Sequence, residues 1–277
     1  TGYTLTSNRP PLIASARALF ADIVETEPEP YRSILRLQAD LERQNFLKAD
    51  CVTVPSRYAK AKLIEYHDIQ PDVVHVIPNA IDIKAWDALT ESRSADGTAE
   101  RPTLFACAKL FPRKRIGTLL QATALLRDEF PDVELRIAGD GQQWDELQEL
   151  SKQLELGANV NWLGNINRQA VAGEMQHCHV FVHPSVQETF GNVCLEAMAA
   201  GRPLVVANAA SLPDLVREAG AGVVVAENEP QNFAGAIAIL LNNTKMRADY
   251  GRKGRNFAKT QSWAAVAQRY LALAQSL

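Results

Sequence analysis

The chain has 277 residues, 47% of them hydrophobic and 22% charged, which excludes a disordered polymer and allows one large domain or two ordinary ones. A net charge of −3 with both signs interspersed leaves no electrostatic footprint for nucleic acid, and no apolar run reaches the length of a membrane span. Cys51, Cys107, Cys178 and Cys194 stand far apart with no C-x-x-C pair, as expected for reduced thiols in a cytoplasmic protein.

No signal-peptide pattern opens the sequence, which reads as starting within a longer protein. Pro11–Val24 is predicted as an amphipathic helix with Leu12, Ala16, Leu19, Phe20 and Ile23 on one face. Its polar side carries Arg17 as the sole cation, beside Asp22 and Glu25. That favours packing against a domain, with a peripheral membrane role as the alternative. After the acidic, proline-broken ETEPEP come a helix (Tyr31–Lys48), a strand (Cys51–Ser56), a helix (Arg57–His67) and a strand (Val73–Pro78). Two strands are too few for an open sheet with its own core. Residues 1–81 therefore read as the C-terminal remnant of an α/β domain whose beginning is absent, and 82–102 as a linker, polar and small-residue-rich toward its end.

From Arg101 onward strands and helices alternate. The strands are expected at Thr103–Ala108, Val133–Gly139, Asn159–Gly164, His179–His183, Leu204–Ala207 and Gly222–Val225. Helices fall near Arg115–Phe130, Gln142–Leu156, Arg168–Cys178, Gly191–Ala200 and Leu212–Glu218. This is the arithmetic of a doubly wound α/β domain over 103–260. Residues 261–277 form a closing apolar helix capped by Ser262, which needs a surface for Trp263, Val266, Tyr270 and Leu273 and is expected to pack back on the N-terminal portion.

The stretch HPSVQETFGNVCLEAMAAG, His183 to Gly201, holds the densest chemistry. Pro184 and Ser185 break a buried strand, a helix follows, Gly201 suits the position after its end, and the next strand opens at Leu204. In such a strand–helix–strand unit, ligands sit at the carboxyl ends of the strands, where Pro184–Asn192 lies. The amides of Gly191, Asn192 and Val193 have no intrahelical acceptors and, with the helix dipole, form an anion site that the bare Gly191 lets a phosphate approach. Lys109, Arg113 and Lys114 follow the first strand of the domain, and the Gly139–Gly141 turn follows the second. Cations, amides and glycines at one sheet edge suit a diphosphate. Glu188 and Glu196, eight positions apart, repel phosphate but accept strongly from sugar hydroxyls. They fit a ligand that carries both groups, a nucleotide sugar.

Each signal alone also has a plain structural reading. A glutamate ahead of a helix favours its dipole, and Lys109–Lys114 in isolation would be a solvated loop. Joint placement at one sheet edge is what turns them toward function. His179 and His183 suggest a zinc pair, yet strand spacing holds them far apart and Cys178 points the other way, so they read as core or edge histidines.

ETFGNVCLE resembles the E-x7-E motif of retaining glycosyltransferases with the GT-B fold, in the large family four (group 1 type). KLFPRK, AGDG, WLGNI, LPDLV, GVVV and the closing SW helix are similar to that family in order and spacing, and VIPNAID resembles its interdomain IPNG-V-D signature. The similarity runs from about Cys51 to the end. It implies a GT-B-type α/β fold: one complete Rossmann-like C-terminal domain plus part of a second α/β domain.

The activity so implied moves a sugar from a nucleotide-diphosphate donor to an acceptor hydroxyl with retention, without a metal or cofactor, basic residues neutralising the leaving diphosphate. By the same resemblance Lys109 and Lys114 contact the diphosphate and Glu188 the transferred sugar, these three carrying catalysis. The backbone of Phe190, Gly191, Asn192 and Val193 meets the phosphates, Glu196 the ribose, the loop with Asn165 and Ile166 the base, and Gly139 and Gly141 line the donor site. Three departures bear on donor preference or rate. Lys109 stands where the family usually has arginine, Ala209–Ala210 where it has two glycines, and Ala80 where the linker glycine belongs. The acceptor, whether sugar, lipid or small molecule, is left open. Two alternatives stay open: a donor-binding module that needs a separate or missing acceptor domain, and another GT-B enzyme such as an epimerase or phosphorylase, the last disfavoured because no pyridoxal-binding lysine context is apparent.

Overall fold

The structure, a computed structural model, describes residues 10–24, 26–89 and 101–277. It divides into two compact units, one reaching to Asn79 and including Ala264–Leu277, the other spanning Ala80–Trp263.

The smaller unit contains β1 (Ile13–Ser15), α1 (Phe20–Val24), α2 (Tyr31–Phe46), β2 (Cys51–Val54), α3 (Arg57–His67) and β3 (Val74–Val76). Its three strands are parallel in the order β1-β2-β3, with Ala14 opposite Val52 and Thr53 opposite His75. The expected helix over 11–24 is therefore a strand followed by a five-residue helix. Pairing decides the matter. Ala16 N donates to Thr53 O at 2.8 Å and Leu12 N to the Asp50 carboxylate at 2.6 Å, so donors that a helix would have used are taken by β2 and its approach. The apolar spacing is still used, because Ala16 and Leu19 are buried with Val52, Val54 and Leu63. Ser56 caps α3 by accepting from Ala59 N at 3.0 Å.

The larger unit opens with α4 (Ile83–Ala88), which occupies part of the expected linker. Asp82 caps it, and Trp86, 1% exposed, sits in the core. The polar part of that linker, 90–100, lies outside the described residues. There follow β4 (Thr103–Cys107), α5 (Ile116–Leu126), β5 (Glu134–Ala138), α6 (Trp144–Gln153), β6 (Val160–Gly164), α7 (Arg168–His177), β7 (Val180–His183), α8 (Asn192–Ala199), β8 (Leu204–Val206), α9 (Leu212–Ala219) and β9 (Gly222–Val224). Each expected strand and helix of this region is present. Two further helices, α10 (Pro230–Asn242) and α11 (Thr244–Thr260), complete the unit.

All six strands are parallel, in the order β6-β5-β4-β7-β8-β9. The chain thus builds outward from β4 to β6, then returns to the other side of β4 with β7. Alternation along the strands serves two apolar layers. Phe105 and Phe181 face one, with Trp86, Leu195 and Met198. Leu104, Ala106, Val180 and Val182 face the other, with Leu119, Leu120 and Ile237. Strands covered on both sides read as near-continuous apolar runs, which is why they stand out in the sequence.

The final helix, α12 (Trp263–Ser276), has Val266 and Leu273 buried, but Trp263 is 64% exposed, contrary to expectation. Tyr270 fixes the helix within the smaller unit. Its hydroxyl lies 3.0 Å from Thr53 Oγ1 and 3.3 Å from Ser15 Oγ, and accepts from the Arg17 guanidinium.

Candidate active site

The strand order reverses between β4 and β7, and in open parallel sheets the crevice beyond the carboxyl ends at such a reversal is where ligands bind. Two loops flank it, 108–115 after β4 and 184–191 after β7. They are stitched together: Val186 N donates to Arg113 O at 2.9 Å, and Ser185 Oγ to the same oxygen at 3.4 Å.

At this junction Lys114 Nζ pairs with Glu188 Oε1, and His183 Nε2 lies 2.7 Å from that same oxygen. An ionised carboxylate only accepts, so Nε2 carries the proton. Burial alone would raise the Glu188 carboxyl. The hydrogen bond from His183, with the charges of His183 and Lys114, outweighs burial and holds it near 2. The residue is ionised at any ordinary pH. Its carbonyl also accepts from Ser211 N at 3.3 Å, tying the β7 loop to the start of α9.

Gly191 turns the chain into α8 with φ 90° and ψ 57°, a left-handed conformation that favours glycine. A Cβ there would stand 2.9 Å from Leu212 Cδ2, so that side chain would have to shift as well. Of the first-turn residues, Asn192 is exposed and Val193 packs half-buried against the core; Phe190 is a core side chain. What Phe190 offers a ligand is its backbone alone.

Glu196 lies one turn into α8, 3.9 Å from the Arg168 guanidinium at the start of α7. Burial raises its carboxyl, and Arg168 only partly opposes this. Arg168 in turn stacks over Trp86 at 5.6 Å. The two glutamates therefore sit in opposite electrostatic settings: Glu188 is doubly paired and firmly anionic, while Glu196 is weakly paired and more ready to share a proton. Cys107 neighbours Glu196, and Cys194 neighbours both carboxylates. Burial, with the charge of Glu196, pushes Cys107 up to about 11, and burial, with the charge of Glu188, raises Cys194 further, so both are inert thiols at neutral pH.

Gly139 and Gly141 act as spacers between neighbouring loops. Added Cβ atoms would lie 1.8 Å from Ala108 O and 2.6 Å from Leu110 O. The close approach allows Ala108 N to donate to Ala138 O and Leu110 N to Asp140 O, each at 3.0 Å. Lys109 projects exposed from the loop so held. Gly164, with φ 64°, ends β6 and accepts from Gly139 N at 2.7 Å; beyond it Asn165 is exposed and Ile166 packs against the core.

Two site residues escaped the sequence reading. His183 reads as a core histidine, yet its only signal is a carboxylate five positions on, across a loop. Arg168 carries no signal beyond its place at a helix start. His179, the other member of the considered zinc pair, accepts from Thr103 N at 3.1 Å and is held well below its usual range, at about 4, by burial and by Arg247 and Arg202.

The Ala209–Ala210 departure has a clear structural outcome. Ala210 adopts φ 53° although it is not glycine, and this turn delivers Ser211 N to Glu188 O.

The profile of the family described as glycosyl transferases group 1 matches residues 90–257, and that of glycosyltransferase family 4 matches residues 3–85. A D-inositol 3-phosphate glycosyltransferase of Corynebacterium glutamicum is 28% identical over 244 residues, 84% of this chain and 58% of that protein. The phosphatidyl-myo-inositol mannosyltransferase of Mycolicibacterium smegmatis is 30% identical over 198 residues, 70% of this chain and 50% of that protein. The chain thus spans little more than half the length of these relatives. Among solved structures, Anabaena Alr3699/HepE in complex with UDP-glucose matches with TM-score 0.78 at 24% identity, over 96% of this chain and 72% of that one. WaaG, a glycosyltransferase involved in lipopolysaccharide biosynthesis, matches with TM-score 0.75 at 20% identity, over 95% of this chain and 75% of that one. The architecture is that of GT-B glycosyltransferases, and with more than half of its residues inside one family profile the chain belongs to the group 1 glycosyltransferases.

Proposed function

We propose that the chain supplies the donor-binding half of a retaining transferase that moves a hexose from a nucleotide-diphosphate sugar to an acceptor hydroxyl. The observation that carries this reading is the convergence of Lys114 and His183 on Glu188 at the reversal of strand order. A cation beside a locked carboxylate offers a diphosphate and a sugar hydroxyl their respective partners in one place. The diphosphate lies against Lys114, with Lys109 and the start of α8 behind it. Glu188 accepts from the transferred sugar, and Glu196 meets the ribose hydroxyls. The loop at Asn165 and Ile166 receives the base, beside the Gly139–Gly141 turn.

In the net reaction the bond from C1 to the diphosphate oxygen breaks, an acceptor oxygen bonds C1 on the same face, and the hydroxyl proton leaves with the nucleoside diphosphate. Lys114 opposes the negative charge that develops on the departing diphosphate. The names of the relatives, which act on D-inositol 3-phosphate and phosphatidyl-myo-inositol, make these two the first acceptors to try.

The test is turnover of UDP-glucose and GDP-mannose with each acceptor, the product anomer being read by NMR. Lys114→Met is expected to lower kcat/KM about a hundredfold. An inverted anomer would overturn retention. Donor binding without turnover on any acceptor would assign the chain as a donor-binding module that depends on acceptor residues elsewhere.

A further inference from the structure

Resting on that donor-site reading, we propose that His183 is a positioning residue for Glu188: it fixes which carboxylate oxygen meets the donor sugar and holds that carboxylate in place when Lys114 turns to the diphosphate. The imidazole is buried and packed on its face. It is 2% exposed, stacks on Phe181 at 6.2 Å with 18° between planes, and Phe181 meets Phe105 edge-on at 5.9 Å. A ring wedged into the strand core cannot follow a moving partner. Lys114 differs in kind: its charge rides on a flexible four-carbon stem that can redirect toward a phosphate.

Both donors use Oε1, and Oε2 has no hydrogen-bond partner among the described residues. With both donors present, Oε1 is occupied and Oε2 is left to accept from a ligand. Were Lys114 the only holder, its transfer to a diphosphate would release the side chain of Glu188 just when the sugar arrives. His183 removes that conflict. Lys114 can serve the phosphates while Oε1 stays anchored and Oε2 remains presented to a hydroxyl.

The experiment is isothermal titration of the wild type, His183→Met and His183→Gln with UDP, UDP-glucose, GDP and GDP-mannose, with the melting temperature of each protein read in parallel. Methionine fills the site without a donor, whereas glutamine keeps an N–H within reach of Glu188. The expected result is that the affinity for the free diphosphate holds within about twofold, while the ratio of sugar-nucleotide to diphosphate affinity falls about tenfold in His183→Met and recovers in His183→Gln. An unchanged ratio in His183→Met would overturn the proposal, as would equal losses for diphosphate and sugar nucleotide. Should His183→Met lose its unfolding transition, His183→Asn, polar but too short to reach Glu188, replaces it with the same expected ratio. A wild type that binds none of the four probes overturns the donor site itself, an outcome separate from binding that is insensitive to His183.

Discussion

Substituting Glu188 by glutamine isolates one charge at the centre of the site, and its effect on stability can be worked out in advance. Burial alone would raise this carboxyl, but the His183 hydrogen bond and the His183 and Lys114 charges bring it from an ordinary 4.5 to about 2. At neutral pH that gap amounts to about 3 kcal/mol of folding free energy. The side chain is only 17% exposed, so solvent screening removes little of it. Because the folded value is depressed, the contribution is complete above about pH 4.5 and is lost as pH falls toward 2. At pH 3.5 linkage leaves about 2 kcal/mol. Urea unfolding of wild type and Glu188→Gln at pH 7.5 and 3.5 should therefore show a penalty that shrinks by roughly 1 kcal/mol at the lower pH. A penalty of the same size at both pH values would refute the reasoning, because the carboxylate would then not be held by its charge.

Ala210→Gly is expected to stabilise the protein by about 0.5–1 kcal/mol, relief of the left-handed alanine exceeding the entropy gained by the unfolded chain. Thermal unfolding reads the gain directly, and a destabilised variant would contradict the strain assigned to φ 53°. Gly139→Ala forces a methyl group to within 1.8 Å of Ala108 O and should cost roughly 3 kcal/mol or more, visible as loss of the cooperative transition or of soluble protein.

The larger unit was legible because its strands are buried on both faces and bounded by glycine and proline, so periodicity and punctuation agree from Thr103 to Val225. In the smaller unit the same periodicity misled. Leu12, Ala16, Leu19, Phe20 and Ile23 recur at helical spacing, but a three-residue strand is too short to show alternation, and pairing with β2 decided its state. Helices α10 and α11 drew no assignment, although Pro230 in the first turn and Asn243, accepting from Met246 N at 2.9 Å, were the signals that could have found them. At the site, Lys114 and Glu188 were legible as chemistry because each lies just past a strand end. Their direct pairing was not, since nothing in a linear pattern says that the fourth strand and the seventh become neighbours. His183 was hidden for the same reason that it is useful: an imidazole inside an apolar strand looks like core until the carboxylate that faces it is known.

The seam between β4 and β7 also sets a schedule for synthesis. Lys114 and Glu188 are 74 residues apart, with β5, β6 and their helices threaded between them. At about 5–20 residues per second, the ribosome needs roughly 4–15 s after Lys114 is added before its partner is even polymerised. Throughout that interval Phe105 has no Phe181 to meet, and β4 presents an open, apolar edge. The nascent chain is thus most exposed to misassociation and to chaperone capture at the strand that will later stand at the middle of the sheet, and the site cannot form before β7 has joined it.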